Sequence, residues 1–180
     1  RGDSSLPPVL NGVVLAGVSG VPQQNITKRV QFSDDDTWVE ATANHRSDTT
    51  LLLGGDGHYH VGLRFFNVAI PPGATIQRAR LYLTSAETIY KNMRVTVYGD
   101  AVPNSPDFRV GGLVTARDRT ERAAVWSVAS SEGWIPSREY ASPELKEIIQ
   151  ELVDQPGWVA NNAISLLLIA SPSDATPHRV

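Results

Sequence analysis

LRFFNVAIPPGATIQRARLYL, residues 63–83, reads as a strand, a tight turn and a second strand. Leu63 and Phe65 alternate with Arg64 and Phe66, and apolar residues on both parities mark a strand covered on each face or at one end. Pro71-Pro72-Gly73 ends it, because proline cannot donate to a ladder and Gly73 admits a positive φ. After the turn, Ala79, Leu81 and Leu83 share one parity, and Ile76, Arg78, Arg80 and Tyr82 the other. That alternation predicts a half-buried strand with the leucines inward and Arg78 and Arg80 in water. The pair reads as a central hairpin.

Further strands surround it. Val95 and Val97 oppose Thr96 and Tyr98 within 93–99, residues 123–128 form another strand, and 163–170 is apolar enough to be a central strand buried on both faces. Upstream, 30–32, 38–43 and 51–55 read as strands. One helix is expected, over residues 142–155. Ser142 suits the N-cap, Pro143 the first helical position, and Glu144 and Glu147 the positive end of the dipole. Leu145, Ile148, Ile149, Leu152 and Val153 then form one apolar stripe, predicted to close an end of the fold.

The wording F-x-N-V-x-I-P-P-G-A-T-I-x-x-A-x-L-x-L resembles the DNRLRE domain family, disaggregatase-related modules of secreted bacterial and archaeal proteins, some of them similar to carbohydrate-binding modules. The resemblance continues through Val95-Thr96-Val97-Tyr98-Gly99, Ser142-Pro143-Glu144-Leu145, Ile148-Ile149-Gln150-Glu151 and Pro156-Gly157-Trp158, and so covers roughly residue 30 to the end. It implies an all-β, jelly-roll-like sandwich outside the cell, usually without catalytic activity. Members of the family continue into a further closing strand, whereas this sequence stops at Val180. An open edge is therefore expected beside the strand at 164–170.

Composition sets the remaining bounds. A chain of 180 residues with 41% hydrophobic and 19% charged residues is long enough for one domain with a real core. A net charge of -3 argues against a nucleic-acid binder, and no apolar run approaches a membrane span. The sequence has no cysteine, which excludes disulfides and thiolate metal sites. It opens on Arg1 and holds a single methionine, Met93, as secretion with signal removal would leave it.

Two units are expected, an N-terminal extension over 1–29 and a sandwich over 30–180. Residues 9–21 carry no charge and are rich in β-branched residues and glycine, so left free they would aggregate. Val9, Leu10, Val13, Val14, Leu15, Val18 and Val21 are what such a strand would offer the open edge of a neighbouring copy. Head-to-tail repetition would build a filament, and folding back into its own sandwich is the milder alternative. Arg1-Gly2-Asp3 matches an integrin-binding tripeptide, which recurs by chance, and Asn25-Ile26-Thr27 is a glycosylation sequon, against the plainer reading of an unmodified turn.

Ser33-Asp34-Asp35-Asp36 places three carboxylates together. Asp34, Asp36 and Glu40 are candidate ligands for a structural Ca²⁺, against the plainer reading of a solvated acidic turn. His58 and His60 share a strand face but lack a third ligand nearby. No nucleophile elbow, zincin helix, phosphate loop or dinucleotide fingerprint occurs, so the chain reads as non-catalytic. For an anionic polysaccharide, Arg78 and Arg80 on the outward parity and Tyr90, Trp134 and Tyr140 in loops are the candidate contacts. Trp126 and Trp158 read as core. The function expected is thus an extracellular structural or adhesive subunit that polymerises by strand donation, with a carbohydrate-binding module as the alternative.

Overall fold

Residues 9–16, as backbone, and residues 24–180 are described by the computed structural model of the chain. Two antiparallel sheets face each other across one core, forming a β-sandwich. The smaller contains β1 (Val9–Ala16), β2 (Gln24–Arg29), β7 (Thr75–Thr84) and β10 (Glu139–Ala141), in the order β10-β7-β1-β2. The larger contains β3 (Asp36–Glu40), β4 (Ala43–His45), β5 (Leu52–Gly54), β6 (Tyr59–Phe65), β8 (Met93–Gly99), β9 (Ala124–Val128), β11 (Ile164–Ala170) and β12 (Pro177–Arg179). Its main path runs β12-β5-β6-β11-β8-β9, and β3 pairs with both β4 and β6.

The alternation in β7 has the predicted sense. Ala79, Leu81 and Leu83 are fully buried against Leu63, Phe65, Val95, Val97, Leu166 and Leu168 of the facing sheet. Each large side chain so buried contributes about 1.5–3 kcal/mol relative to exposure. Arg78 and Arg80 are exposed, but Ile76 is buried, against its parity. The cause is a bulge: Val14 of β1 faces Arg78 and Leu15 faces Ile76, so Gln77 is an extra residue on β7 and the inward set shifts by one.

Residues 63–83 do not form a hairpin. β6 lies in the larger sheet and β7 in the smaller, and 66–74 carries the chain across the sandwich. Val68 and Ile70 are buried on the way, and Trp158 Nε1 donates to the Ile70 carbonyl at 3.0 Å. Alternation reports which face of a strand is buried, not which strand it pairs with.

The edge expected beside β11 is closed. β11 pairs with β6 on one side and β8 on the other. A closing strand is also present: β12 pairs with β5, and Leu51 and Val180 exchange backbone hydrogen bonds of 2.7 and 3.0 Å. The first strand after residue 20 is Gln24–Arg29 rather than 30–32, and β3 stops at Glu40 because Ala41 turns with a φ of 54°.

The helix α1 spans Lys146–Val153, four residues shorter at its start than expected. Ser142 does not cap it; the hydroxyl accepts from the Leu81 amide at 3.0 Å instead. The predicted stripe is buried and closes one end of the core, with Leu152 packed against Gly99 where a Cβ would intrude. On the opposite face of the larger sheet, residues 100–120 lay Phe108 and Val114 over Val39 and Leu167. Phe108 sits directly on Gly62, where any side chain would collide with its ring. Among the described residues, no helix is long and apolar enough to cross a membrane.

Candidate functional site

β7 organises the smaller sheet, and its two edges are covered in different ways. Along one edge β10 pairs with Tyr82, Leu83 and Thr84. Beyond Ala141 the chain turns into α1, and side chains continue the ladder. Ala79 N donates to Glu144 Oε1 at 2.6 Å, while Leu145 N donates to the Ala79 carbonyl at 2.8 Å. Gln150 accepts from Ile76 N and donates to the Ala74 carbonyl. The whole edge is thereby satisfied from within the body of the chain.

The other edge of β7 is covered by β1. Val9 faces Tyr82, Leu10 faces Leu81, Asn11 faces Arg80 and Val14 faces Arg78. On its far side β1 pairs with β2, from Val9 opposite Arg29 to Leu15 opposite Gln24. Both ladders contain register shifts. Val9, Leu10, Val13, Val14 and Leu15 therefore occupy a slot between β7 and β2, not an edge beside β11. Val18 and Val21 lie outside the described residues. The expected division at residue 29 does not separate two sheets, since β1 and β2 belong to the sandwich.

The outward face of this sheet is basic. Register aligns Arg29 with Tyr82 across β1 and Asn25 with Arg78, and Arg80 lies between Arg78 and Tyr82 on the same parity of β7. Arg29, Arg78 and Arg80 are exposed and form no ion pair among the described residues. Asn25 of the sequon is exposed on β2.

The loop aromatics part company. Tyr90 is 60% exposed, lying against Gly133 where only a glycine leaves room for its ring. Trp134 is buried, which corrects its reading as an accessible loop residue. It stacks on Tyr140 at 4.4 Å and 6°, and meets His178 edge-on at 5.0 Å. The Tyr140 hydroxyl accepts from Ile135 N at 2.9 Å and donates to the Gly133 carbonyl. Trp134 and Tyr140 thus fasten their loop to the core, leaving Tyr90 as the open ring of the three.

The acidic triplet is divided among arginines. Arg46 pairs with Asp34 at 2.5 Å, and Arg64 pairs with buried Asp35 at 2.6 Å. Asp36 is buried at the start of β3 and Glu40 is exposed at its end, about 13 Å away at strand rise. Asp34, Asp36 and Glu40 are not brought together. Among the described residues no group of three or more histidines, aspartates or glutamates could hold a metal ion.

A buried ionic cluster had no signature in the sequence. Arg117 Nη1 donates to Asp100 Oδ2 at 2.8 Å and to Ser105 Oγ at 3.0 Å, and the guanidinium lies 4.2 Å over Phe108. Ser105 Oγ also donates to Asp100 Oδ2 at 2.6 Å, and Arg64 Nε donates to the Ser105 carbonyl at 2.8 Å. Burial lowers the pKa of Arg117 while Asp100 opposes the shift. The cluster pins residues 100–120 onto the sheet.

No family model, no curated protein and no solved structure matches the chain.

Proposed function

We propose that the protein is a non-catalytic, extracellular structural subunit whose β1 strand passes into the β7–β2 slot of a neighbouring copy, so that repetition builds a filament. The observation that carries this reading is the placement of β1. It is inserted between two strands of the sheet, and its pairing runs through main-chain ladders to β7 and β2. The rest of the chain completes the larger sheet, α1 and the opposite edge of β7 without it. A strand held by ladders to one slot fits the same slot on an identical copy, and such exchange costs little because the same ladders form between copies as within one. The resemblance to DNRLRE modules supports the extracellular, non-catalytic part of the reading.

Removal of residues 1–20 tests it. Size-exclusion chromatography and electron microscopy should show loss of polymer, with an added peptide of residues 9–21 binding the vacated slot. A full-length chain that stays monomeric at every concentration overturns the proposal.

A second reading is favoured by Arg29, Arg78 and Arg80, exposed on neighbouring rows of the smaller sheet. Three exposed guanidinium groups that form no ion pair among the described residues suit an anionic polysaccharide, held weakly and released by salt. Titration with alginate, pectin and neutral glucans separates this from a purely structural role.

A further inference from the structure

β9 ends the larger sheet, and hydrogen bonds on either side of β8 fix which of its main-chain groups are left over. Gly99 N donates to Thr120 Oγ1 at 2.9 Å and the Gly99 carbonyl accepts from Thr120 N at 3.1 Å, both on the β9 side. Asp100 N donates to the Ser165 carbonyl, and the Arg94 carbonyl accepts from Ser171 N, both on the β11 side. Main-chain groups alternate along a strand, so Met93, Val95 and Val97 bond to their β9 partners Val128, Trp126 and Ala124. The N–H and C=O of Val125 and Ser127 therefore point away from β8, and no group among the described residues pairs with them.

The other sheet edges among the described residues are guarded against pairing with another chain. β2 carries Lys28 and Arg29, and β4 and β10 are only three residues long. β12 is covered, since Ala86 N donates to the Arg179 carbonyl at 2.9 Å and Arg179 N to Glu87 Oε1 at 3.1 Å. β9 has none of these devices. Its five residues, Ala124–Val128, include no charge and no proline, and its register against β8 is free of bulges. Val125 is 48% exposed and Ser127 is exposed, while Trp126 and Val128 face the core.

We infer that β9 is a dimerisation edge, which pairs antiparallel with β9 of a second copy about a twofold axis at Trp126. In that register Val125 of each copy stands opposite Ser127 of the other, so every outward N–H and C=O of these two residues gains a partner across the axis. The strand is neutral but its flanks are not. Arg122 precedes it and Glu132 follows it, both exposed and neither in an ion pair among the described residues. Antiparallel pairing sets the Arg122 end of each copy beside the Glu132 end of the other, with Glu121 one residue further from the axis, whereas parallel pairing would set Arg122 against Arg122. This complementarity selects an identical strand as the occupant. The contact lies on the other sheet from the β7–β2 slot and is independent of strand donation: it closes a pair, or joins two filaments, and does not extend one.

Disulfide trapping in the full chain, which has no cysteine of its own, tests the register. Hydrogen-bonded partners of an antiparallel pair lie about 5.5 Å apart at Cα, within disulfide reach, whereas diagonal neighbours lie about 7–8 Å apart. Val125→Cys and Ser127→Cys proteins, mixed in equal amounts and oxidised, should therefore give a covalent dimer on a non-reducing denaturing gel, several-fold above either protein alone. Adding Ser127→Lys to the first protein and Val125→Pro to the second should cut that yield about tenfold or more, since the lysine charges the edge and the proline removes an outward N–H. Neither change touches the β8 ladder, and thermal melts verify the fold. A mixture that cross-links no better than the separate proteins overturns the inference. So does a yield that survives the added lysine and proline.

Discussion

Gln150 does for Ile76 what a paired strand would do: its Oε1 accepts the Ile76 amide at 2.8 Å while its Nε2 donates to the Ala74 carbonyl at 3.0 Å. Gln150, with Glu144 and Leu145 at Ala79, thus closes the part of β7 that β10 does not reach, so the proposed strand exchange would act on the β1 side. Gln150→Ala should cost about 1–3 kcal/mol by leaving two main-chain groups without these partners. Gln150→Glu keeps the acceptor but sets a carboxylate oxygen against the Ala74 carbonyl and against Asp154, to which Nε2 also donates at 2.9 Å, and should cost at least as much as Gln150→Ala. Urea denaturation with unchanged slope is the measurement.

Arg117 and Asp100 are a buried pair, with side chains 3% and 4% exposed. Arg117→Met leaves Asp100 charged and buried, and should cost about 3–5 kcal/mol. Adding Asp100→Leu removes the orphaned charge and should recover part of that loss. Amide hydrogen exchange across residues 100–120 should accelerate in the single variant, because the cluster holds that segment to the sheet.

His178 gives the protein an acid-sensitive element. Its Nε2 lies 3.1 Å from the Lys91 carbonyl and its Nδ1 is buried with no hydrogen-bond partner among the described residues, so protonation would bury an N–H that none of them accepts. Burial therefore lowers its pKa from 6.5, outweighing Lys91, Glu87 and Asp174. Below 6.5 the unfolded chain takes up a proton that the folded ring refuses, so stability falls as pH drops and is regained on raising it. His60 is shifted in the same direction. Melting temperatures between about pH 5.5 and 7.5 should show this decline, and His178→Gln with His60→Gln should flatten it.

Trp134 separates packing from binding. Trp134→Ala should cost about 3–5 kcal/mol, as expected for a buried aromatic, with no selective effect on polysaccharide affinity among the molecules that remain folded. Tyr90→Ala, at an exposed ring, should change stability by no more than about 0.5 kcal/mol.

Single-strand features were legible in the sequence where burial alone determines them. The faces of β8 and of β7 from Arg78 to Leu83, the two-sided burial of β11, the core positions of Trp126 and Trp158, and the apolar stripe of α1 all follow from periodicity, whereas the bulge that turns Ile76 inward does not. Relations between strands were not. The segment 66–74 crosses between sheets because Ile70 and Trp158 hold it there, and no local pattern distinguishes that from a hairpin. Ser142 has the chemistry of an N-cap, yet the Leu81 amide claims its hydroxyl first. Trp134 follows a glycine in a loop, but its burial depends on Tyr140 and His178, distant partners that no spacing rule connects. The Arg117–Asp100 pair is hidden for the same reason.

The most direct test of strand donation uses the absence of cysteine from the chain. Asn11 of β1 and Arg80 of β7 are register partners, so Asn11→Cys with Arg80→Cys places two thiols across that ladder. The doubly substituted protein is oxidised and run on a denaturing, non-reducing gel. Donation between copies predicts a ladder of covalent oligomers that collapses to monomer on reduction. A single band at monomer mass, with both thiols consumed, would show that β1 pairs only within its own chain and would contradict the proposal.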